Sequence, residues 1–260
     1  MLSNIREYLS GHPWADQIQY FDTIDSTNNY AKKLAMEGAP AGTVILACHQ
    51  TAGRGRLGRS FSSPKNMGIY LSVILRPDCK PSEIMHLTCA AGVAAVRAID
   101  FPEVGIKWTN DLVIDKKKLG GILTELSVDP VTQKVAWVVV GIGINCCQKS
   151  WDFPKEIRHM ACSLGMEDRI EVLMLAADLI ECLYQMDKDL LTNKAEIMAQ
   201  FKEKCVTIGS QISVVRGDNI RHGKALDVDS DGGLLVEYSD GTHETVTSGE
   251  VSIRGMYGYL

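Results

Sequence analysis

Gln50-Thr51-Ala52-Gly53-Arg54-Gly55-Arg56-Leu57-Gly58-Arg59-Ser60-Phe61-Ser62-Ser63-Pro64 is the stretch on which the choice of fold class turns. It follows an apolar strand over 43–49, and Gly53-x-Gly55-x-x-Gly58 has the spacing of a dinucleotide phosphate loop, with Asp78 about 20 residues on. A doubly wound fold needs that turn to launch a helix whose N-terminus holds the pyrophosphate. Here Ser62-Ser63-Pro64 and Gly68 interrupt the next ten residues. Ile69, Leu71, Val73 and Leu75 then alternate, which predicts a strand over 68–76 with one buried face. The dinucleotide reading fails on that strand. Upstream, 17–24 reads as a strand, followed by a helix carrying Tyr30, Ala31, Leu34 and Ala35 on one face and stopped by Gly38. Downstream, Pro81 opens a long Ala-rich helix to about Ile99. Strands are expected near 104–108, 111–115, 118–127 and 134–145, with a turn at Asp115-Lys116-Lys117, and helices over roughly 170–191 and 194–204. Strands and helices in runs without strict alternation predict an α+β fold.

From Thr207 the chain changes character. Short alternating segments (Ile212-Ser213-Val214, Leu234-Leu235-Val236) are separated by Gly217-Asp218, Asp231-Gly232-Gly233 and Asp240-Gly241, which are hairpin turn signals. Residues 207–260 therefore read as a small β barrel or sandwich, too short for stability unless it docks on residues 1–206. They hold four basic and eight acidic residues, a net −4 of the chain's −5, so no basic field draws this part to nucleic acid. The eight cysteines show no two-residue spacing of a zinc or redox motif and lie in apolar surroundings, as reduced core thiols of a cytoplasmic protein do. Arg6, His12, Pro13 and Asp16 interrupt any signal-peptide run, and the apolar stretch from Val135 to Ile144 is short of the roughly 18 residues a membrane span needs. No membrane partner is expected.

Three segments carry chemistry. Arg54, Arg56 and Arg59, interleaved with glycines, can bring guanidinium forks onto phosphate and carboxylate oxygens while the backbone closes on a ligand. In Lys107-Trp108-Thr109-Asn110-Asp111, Asn110 and Asp111 offer oxygen ligands of the kind Mg²⁺ accepts beside substrate phosphates. Of the lysines after it, Lys116 and Lys117 read as a solvated hairpin tip, whereas Lys118 abuts the apolar Leu119-Gly120-Gly121-Ile122 strand. In Val140-Gly141-Ile142-Gly143-Ile144-Asn145 the alternate glycines mark close approach by a ligand or by another backbone. No Walker loop and no nucleophile elbow is present.

In order and spacing, Asp25-Ser26-Thr27-Asn28, the Gln50 to Arg59 loop, Lys107-Trp108-x-Asn110-Asp111, Lys118-Leu119-x-Gly121-Ile122-Leu123-x-Glu125 and Gly141-x-Gly143-Ile144-Asn145 resemble the biotin–protein ligase family. The tail Val246-x-Ser248-Gly249-Glu250-Val251-Ser252-Ile253-Arg254-Gly255 resembles that family's SH3-like C-terminal β barrel. The resemblance implies a class II synthetase-like mixed sheet with helices over 1–206 as the biotin- and ATP-binding catalytic domain, with 207–260 as the SH3-like domain. It implies an enzyme that makes biotinyl-5′-AMP from biotin and ATP with Mg²⁺ and then biotinylates a lysine of a biotin carboxyl carrier protein. A homodimer stays open.

The resemblance also supplies roles. Ser26, Thr27 and Gln50 match positions that hydrogen-bond the biotin head group, with Asn28 beside them, and Gly53, Gly55, Gly121, Ile122 and Gly141 belong to the same biotin-binding set. Arg54 and Arg56 belong to the loop that closes over biotin and the adenylate phosphate. Arg59, Lys107, Asn110 and Asn145 fall on the ATP side, and Phe61 is the candidate for stacking on adenine. Lys118 matches the lysine that meets the reacting carboxylate and phosphate, and Asp111 a carboxylate near the magnesium and the incoming lysine. Lys118, Arg54, Arg56 and Asp111 are thus the catalytic set.

The chain departs from the family pattern at Thr109, where proline is usual, and at Phe61, where tryptophan is usual. About sixteen residues precede the first strand, too few for a helix-turn-helix, so no DNA partner is expected. A lipoate–protein ligase, with the same reaction type, and a non-catalytic biotin-responsive regulator are the rival readings. The Gly-Arg-Gly-Arg loop and the C-terminal barrel favour biotin over lipoate.

Overall fold

The computed structural model describes residues 2–247 and 252–255. In chain order they form α1 (Leu2–Tyr8), β1 (Ile18–Phe21), α2 (Thr27–Met36), β2 (Val44–Ala47), β3 (Gly68–Leu75), α3 (Leu87–Ile99), β4 (Gly105–Lys107), β5 (Asp111–Ile114), β6 (Lys117–Val128), β7 (Val135–Asn145), α4 (Arg169–Asp189) and α5 (Lys194–Lys204). The acidic tail supplies β8 (Gln211–Arg216), β9 (Asn219–Val228), β10 (Leu234–Tyr238), β11 (His243–Val246) and β12 (Ser252–Gly255). The first seven strands make one mixed sheet in the order β1-β2-β3-β7-β6-β5-β4, with β1 and β2 parallel and the other neighbours antiparallel. This is the α+β architecture expected from the sequence.

The central strands differ from the one-faced expectation. In β3 the alternating Ile69, Leu71, Val73 and Leu75 are buried, and so are Tyr70, Ser72 and Ile74 between them. The reason is α2, whose Ala31 and Ala35 pack on Ile45, Ile74 and Val139 and cover the second face of the sheet. The opposite face carries α3 and α4, whose Ala91, Ala95, Leu179, Ile180 and Leu183 join the main core. The helix expected from Pro81 is also divided. Pro81–Ile84 is a 3₁₀ turn, closed by the Lys80 backbone N–H donating to Glu83 Oε2 (2.8 Å), and the α-helix begins only at Leu87. The buried His86 pins the junction through Nε2 and the Leu190 carbonyl (3.1 Å).

The tail strands form an antiparallel sheet in the order β11-β10-β9-β8-β12. Residues 248–251 of the tail pattern lie outside the described residues. The tail sheet is docked, as its small size requires: Trp108 donates from Nε1 to the Gly232 carbonyl and from its backbone N–H to Thr207 Oγ1 (both 2.8 Å), while Lys202 pairs with Asp227 (2.8 Å) and Lys194 with Asp231. All eight cysteines are unbridged. Among the described residues no helix is long and apolar enough to cross a membrane.

Candidate functional site

A cavity of about 740 Å³ opens where the N-terminus of α2, the arginine-glycine loop and the central strands meet. One end is neutral and closely wired. Ser26 caps α2 in extended conformation, with its hydroxyl facing the Asn29 N–H, which directs Thr27 and Asn28 inward from the first turn. Gln50 Oε1 accepts from the Thr27 N–H (2.8 Å) and hydroxyl (3.1 Å), and its Nε2 donates to Ser63 Oγ (2.8 Å). The fully buried Ser72 hydroxyl lies 2.8 Å from Thr27 Oγ1 and 2.6 Å from Asn28 Oδ1. Gly141 forms the floor. A Cβ there would stand 1.8 Å from Asn28 Oδ1, so the close approach that the alternate glycines signalled is between strand β7 and Asn28.

The loop itself is a small hairpin. Phe61 N–H donates to the Gly53 carbonyl (2.8 Å) and Gly55 N–H to the Arg59 carbonyl (2.7 Å), with Leu57 (φ 55°) and Gly58 (φ 71°) turning the tip in the left-handed region. A Cβ on Gly53 would meet the Phe61 carbonyl at 2.4 Å, so that glycine is fixed by the hairpin's own closure. The hairpin carries its arginines to the second, cationic end of the cavity.

There Arg56 NH1 donates to Asn110 Oδ1 (2.9 Å), and Asn110 Nδ2 in turn donates to the Ile122 carbonyl (3.0 Å). Burial lowers the Arg56 pKa, as does the neighbouring Arg59, against the opposing charge of Asp111. Lys118 Nζ pairs with Asp111 Oδ1 at 2.5 Å. Its backbone is fixed from a distance, because Lys118 N–H donates to the Met160 carbonyl (2.7 Å) and Cys162 N–H to the Lys118 carbonyl (2.9 Å). Buried Lys107 adds a further cation to this wall. Such an end can neutralise phosphate and carboxylate oxygens brought together.

A family model for the biotin/lipoate A/B protein ligase family matches residues 20–145, and one for the biotin protein ligase C terminal domain matches residues 207–254. The bifunctional ligase/repressor BirA of Bacillus spizizenii is 36% identical over 245 residues, covering 92% of this chain and 75% of that protein. The chain belongs to the biotin/lipoate A/B protein ligase family. Within it, the biotin--[acetyl-CoA-carboxylase] ligase of Mycobacterium tuberculosis is 31% identical, covering 95% of this chain and 93% of its own. Among solved structures, the biotin protein ligase of Aquifex aeolicus in complex with biotin and ATP matches with a TM-score of 0.73 and 29% identity, over 92% of this chain and 98% of that one.

Against the family's motif positions, the cavity wall of this chain includes Ser26, Thr27, Asn28, Gln50, Arg54, Gly55, Arg56, Arg59, Phe61, Lys107, Asn110, Asp111, Lys118, Gly121, Ile122 and Gly141. Two expected positions stand apart from it. Gly53 serves the hairpin, and the Asn145 amide is occupied with the Cys162 carbonyl (3.0 Å) and the Gln148 amide (3.1 Å). Lys116, expected at a solvated tip, is exposed but lines the cavity, at a turn where Asp115 (φ 47°) and Lys116 (φ 62°) both take the left-handed backbone conformation. Lys117 points away. The Trp108–Thr109 peptide, at the position where the family pattern has proline, is cis. Sequence reasoning passed over Ser72, a lone polar residue in a wholly apolar strand and so detectable, and His159 at the cavity mouth, which no pattern announces.

Proposed function

We propose that the chain is a biotin–protein ligase that acts in two steps. In the first, the biotin carboxylate attacks the α-phosphorus of ATP, forming biotinyl-5′-AMP and releasing pyrophosphate. In the second, the amine of a carrier-protein lysine attacks the acyl carbon, AMP leaves with the bonding pair, and the amine loses its proton. The observation that carries this reading is the two-ended cavity: neutral amide and hydroxyl groups at one end suit a uncharged polar ring, and arginines and lysines at the other suit a carboxylate facing a triphosphate.

Two anions repel one another, so their approach requires cations that are already in position. In this reading Arg56 and Arg59 hold phosphate oxygens, Lys118 bridges carboxylate and α-phosphate, and Phe61, stacked edge-on near Tyr70 (6.5 Å), offers its face to adenine. Hairpin 53–61 covers the mixed anhydride against water. Among the described residues no three His, Cys, Asp or Glu side chains are grouped for a metal cage. Mg²⁺ travels with substrate phosphates and needs one or two carboxylates, and Asp111 is the residue that would hold it. The ion would supply charge neutralisation on the phosphates. The division at 206/207 into a catalytic and a C-terminal domain, and a cytoplasmic place of action, which the unbridged cysteines favour, belong to the same proposal.

The test is direct. With biotin and Mg-ATP, the chain should add one biotin to an apo carrier domain from a biotin-dependent carboxylase, as read by intact-protein mass. A carrier whose acceptor lysine is replaced by arginine should gain none. An unmodified carrier under both conditions contradicts the reading.

A further inference from the structure

Glu125 lies on β6, is paired in register with Val139 of β7 and does not line the cavity, yet three side chains from two segments converge on its carboxylate. Lys32 Nζ donates to Oε1 at 2.8 Å, Arg54 NH1 to Oε1 at 3.1 Å and Oε2 at 3.2 Å, and Asn28 Nδ2 to Oε2 at 3.2 Å. Lys32 and Asn28 are four residues apart on α2 and so share a face, while Arg54 comes from the hairpin loop. Burial pushes the Glu125 carboxyl up, but the hydrogen bonds of Lys32 and Asn28 and the charges of Arg54 and Lys32 outweigh it, leaving it below the ordinary carboxylate value. The group is therefore an anion at neutral pH, gripped by two cations and an amide.

What this anion holds is functional on both sides. Asn28 can turn its amide two ways. A carboxylate at Nδ2, with the Leu123 carbonyl at 3.3 Å beside it, admits only the N–H₂ side, and so presents Oδ1 to Ser72 and Gly141. Arg54 is the first arginine of the hairpin, and its NH1 also reaches Asn29 Oδ1 (3.0 Å), so the base of the loop is tied to the helix that builds the neutral end. One carboxylate thus sets the spacing between the neutral end and the loop that closes over it.

We propose that Glu125 is a positioning residue for ligand binding, fixing the Asn28 amide and the Arg54 guanidinium together without touching substrate. The inference rests on the ligase reading and adds to it a determinant of affinity for the neutral ring. Glu125→Gln keeps the shape but replaces one acceptor oxygen with a donor. Whichever way the new amide turns, either Lys32 or Asn28 loses its acceptor, and Arg54 keeps only one of its two and faces an N–H₂ group in place of the other.

The experiment is biotin-dependent exchange of labelled pyrophosphate into ATP by the full chain. Loss of hydrogen bonds to a charged group should raise the biotin KM of Glu125→Gln on the order of tenfold, with kcat changed less than about threefold. Glu125→Asp, which restores the charge at a shorter reach, should have an intermediate KM. In an Arg54→Met background, Glu125→Gln should raise KM at least about threefold less than it does in the wild type, because part of its action passes through Arg54. Should Glu125→Gln not fold, Glu125→Asp combined with Arg54→Met reads the same coupling. A Glu125→Gln KM within twofold of wild type, equal damage in Gln and Asp variants, or an undiminished effect without Arg54 overturns the inference. A wild-type chain without biotin-dependent exchange overturns the ligase reading instead.

Discussion

The two ends of the cavity are built on opposite plans. At the neutral end Ser26, Thr27, Asn28 and Ser72 are 5% exposed or less, and their donors and acceptors are matched to one another. At the cationic end the Lys118 side chain is 32% exposed and is paired with the Asp111 carboxylate. A buried matched network is costly to rearrange. A pair open to water holds its partners weakly and can exchange one oxygen for another. On the proposed reading, recognition falls to the matched, buried end and charge handling to the exchangeable end.

The largest effect should come from the cationic end. On the proposed reading Lys118→Ala removes the charge that bridges carboxylate and α-phosphate, so single-turnover adenylation at saturating biotin and ATP should slow about 100-fold or more, near 3 kcal/mol. Lys117→Ala changes the net charge equally but lies exposed outside the cavity, and should stay within a few-fold of wild type. Equal, small losses in both variants would erase the distinction between the two ends.

The neutral end should respond in affinity. Gly141→Ala drives a Cβ into Asn28 Oδ1, and overpacking of about 1–3 kcal/mol should raise the biotin KM by about 5- to 150-fold. Gly121→Ala is the matched control and the smallest effect. Its Cβ would first meet the flexible Lys118 Nζ, at an ordinary 3.4 Å, and the change should be about threefold or less. A Gly121 variant more damaged than the Gly141 variant would show that close strand-to-helix contact is not what the glycine at 141 provides.

The strands, helices and tail hairpins were legible in the sequence because apolar periodicity and turn residues are local signals. The arginine loop, Lys118 and the first turn of α2 were legible because charged or capping residues stood where packing alone gives them no reason to be. What local patterns lack is the partner. Asn28 and Glu125 are 97 residues apart and Arg54 and Glu125 71, so Glu125 reads only as a carboxylate in a strand until α2 and the loop are folded onto it. The burial of β3 on both faces was hidden for the same reason, since it depends on α2 crossing the sheet. Asn145 differs: its place in a motif points to the nucleotide, and the fold sets it outside the cavity wall, with its amide bonded to the Cys162 carbonyl and Gln148.

Pyrophosphate exchange with single acids tests the central claim most directly. Labelled pyrophosphate should enter ATP when Mg-ATP is supplied with biotin, and should remain near background with lipoate or octanoate, whose chains end in no ureido ring for Thr27, Asn28 and Gln50 to engage. Exchange driven by lipoate or octanoate and not by biotin would contradict the account.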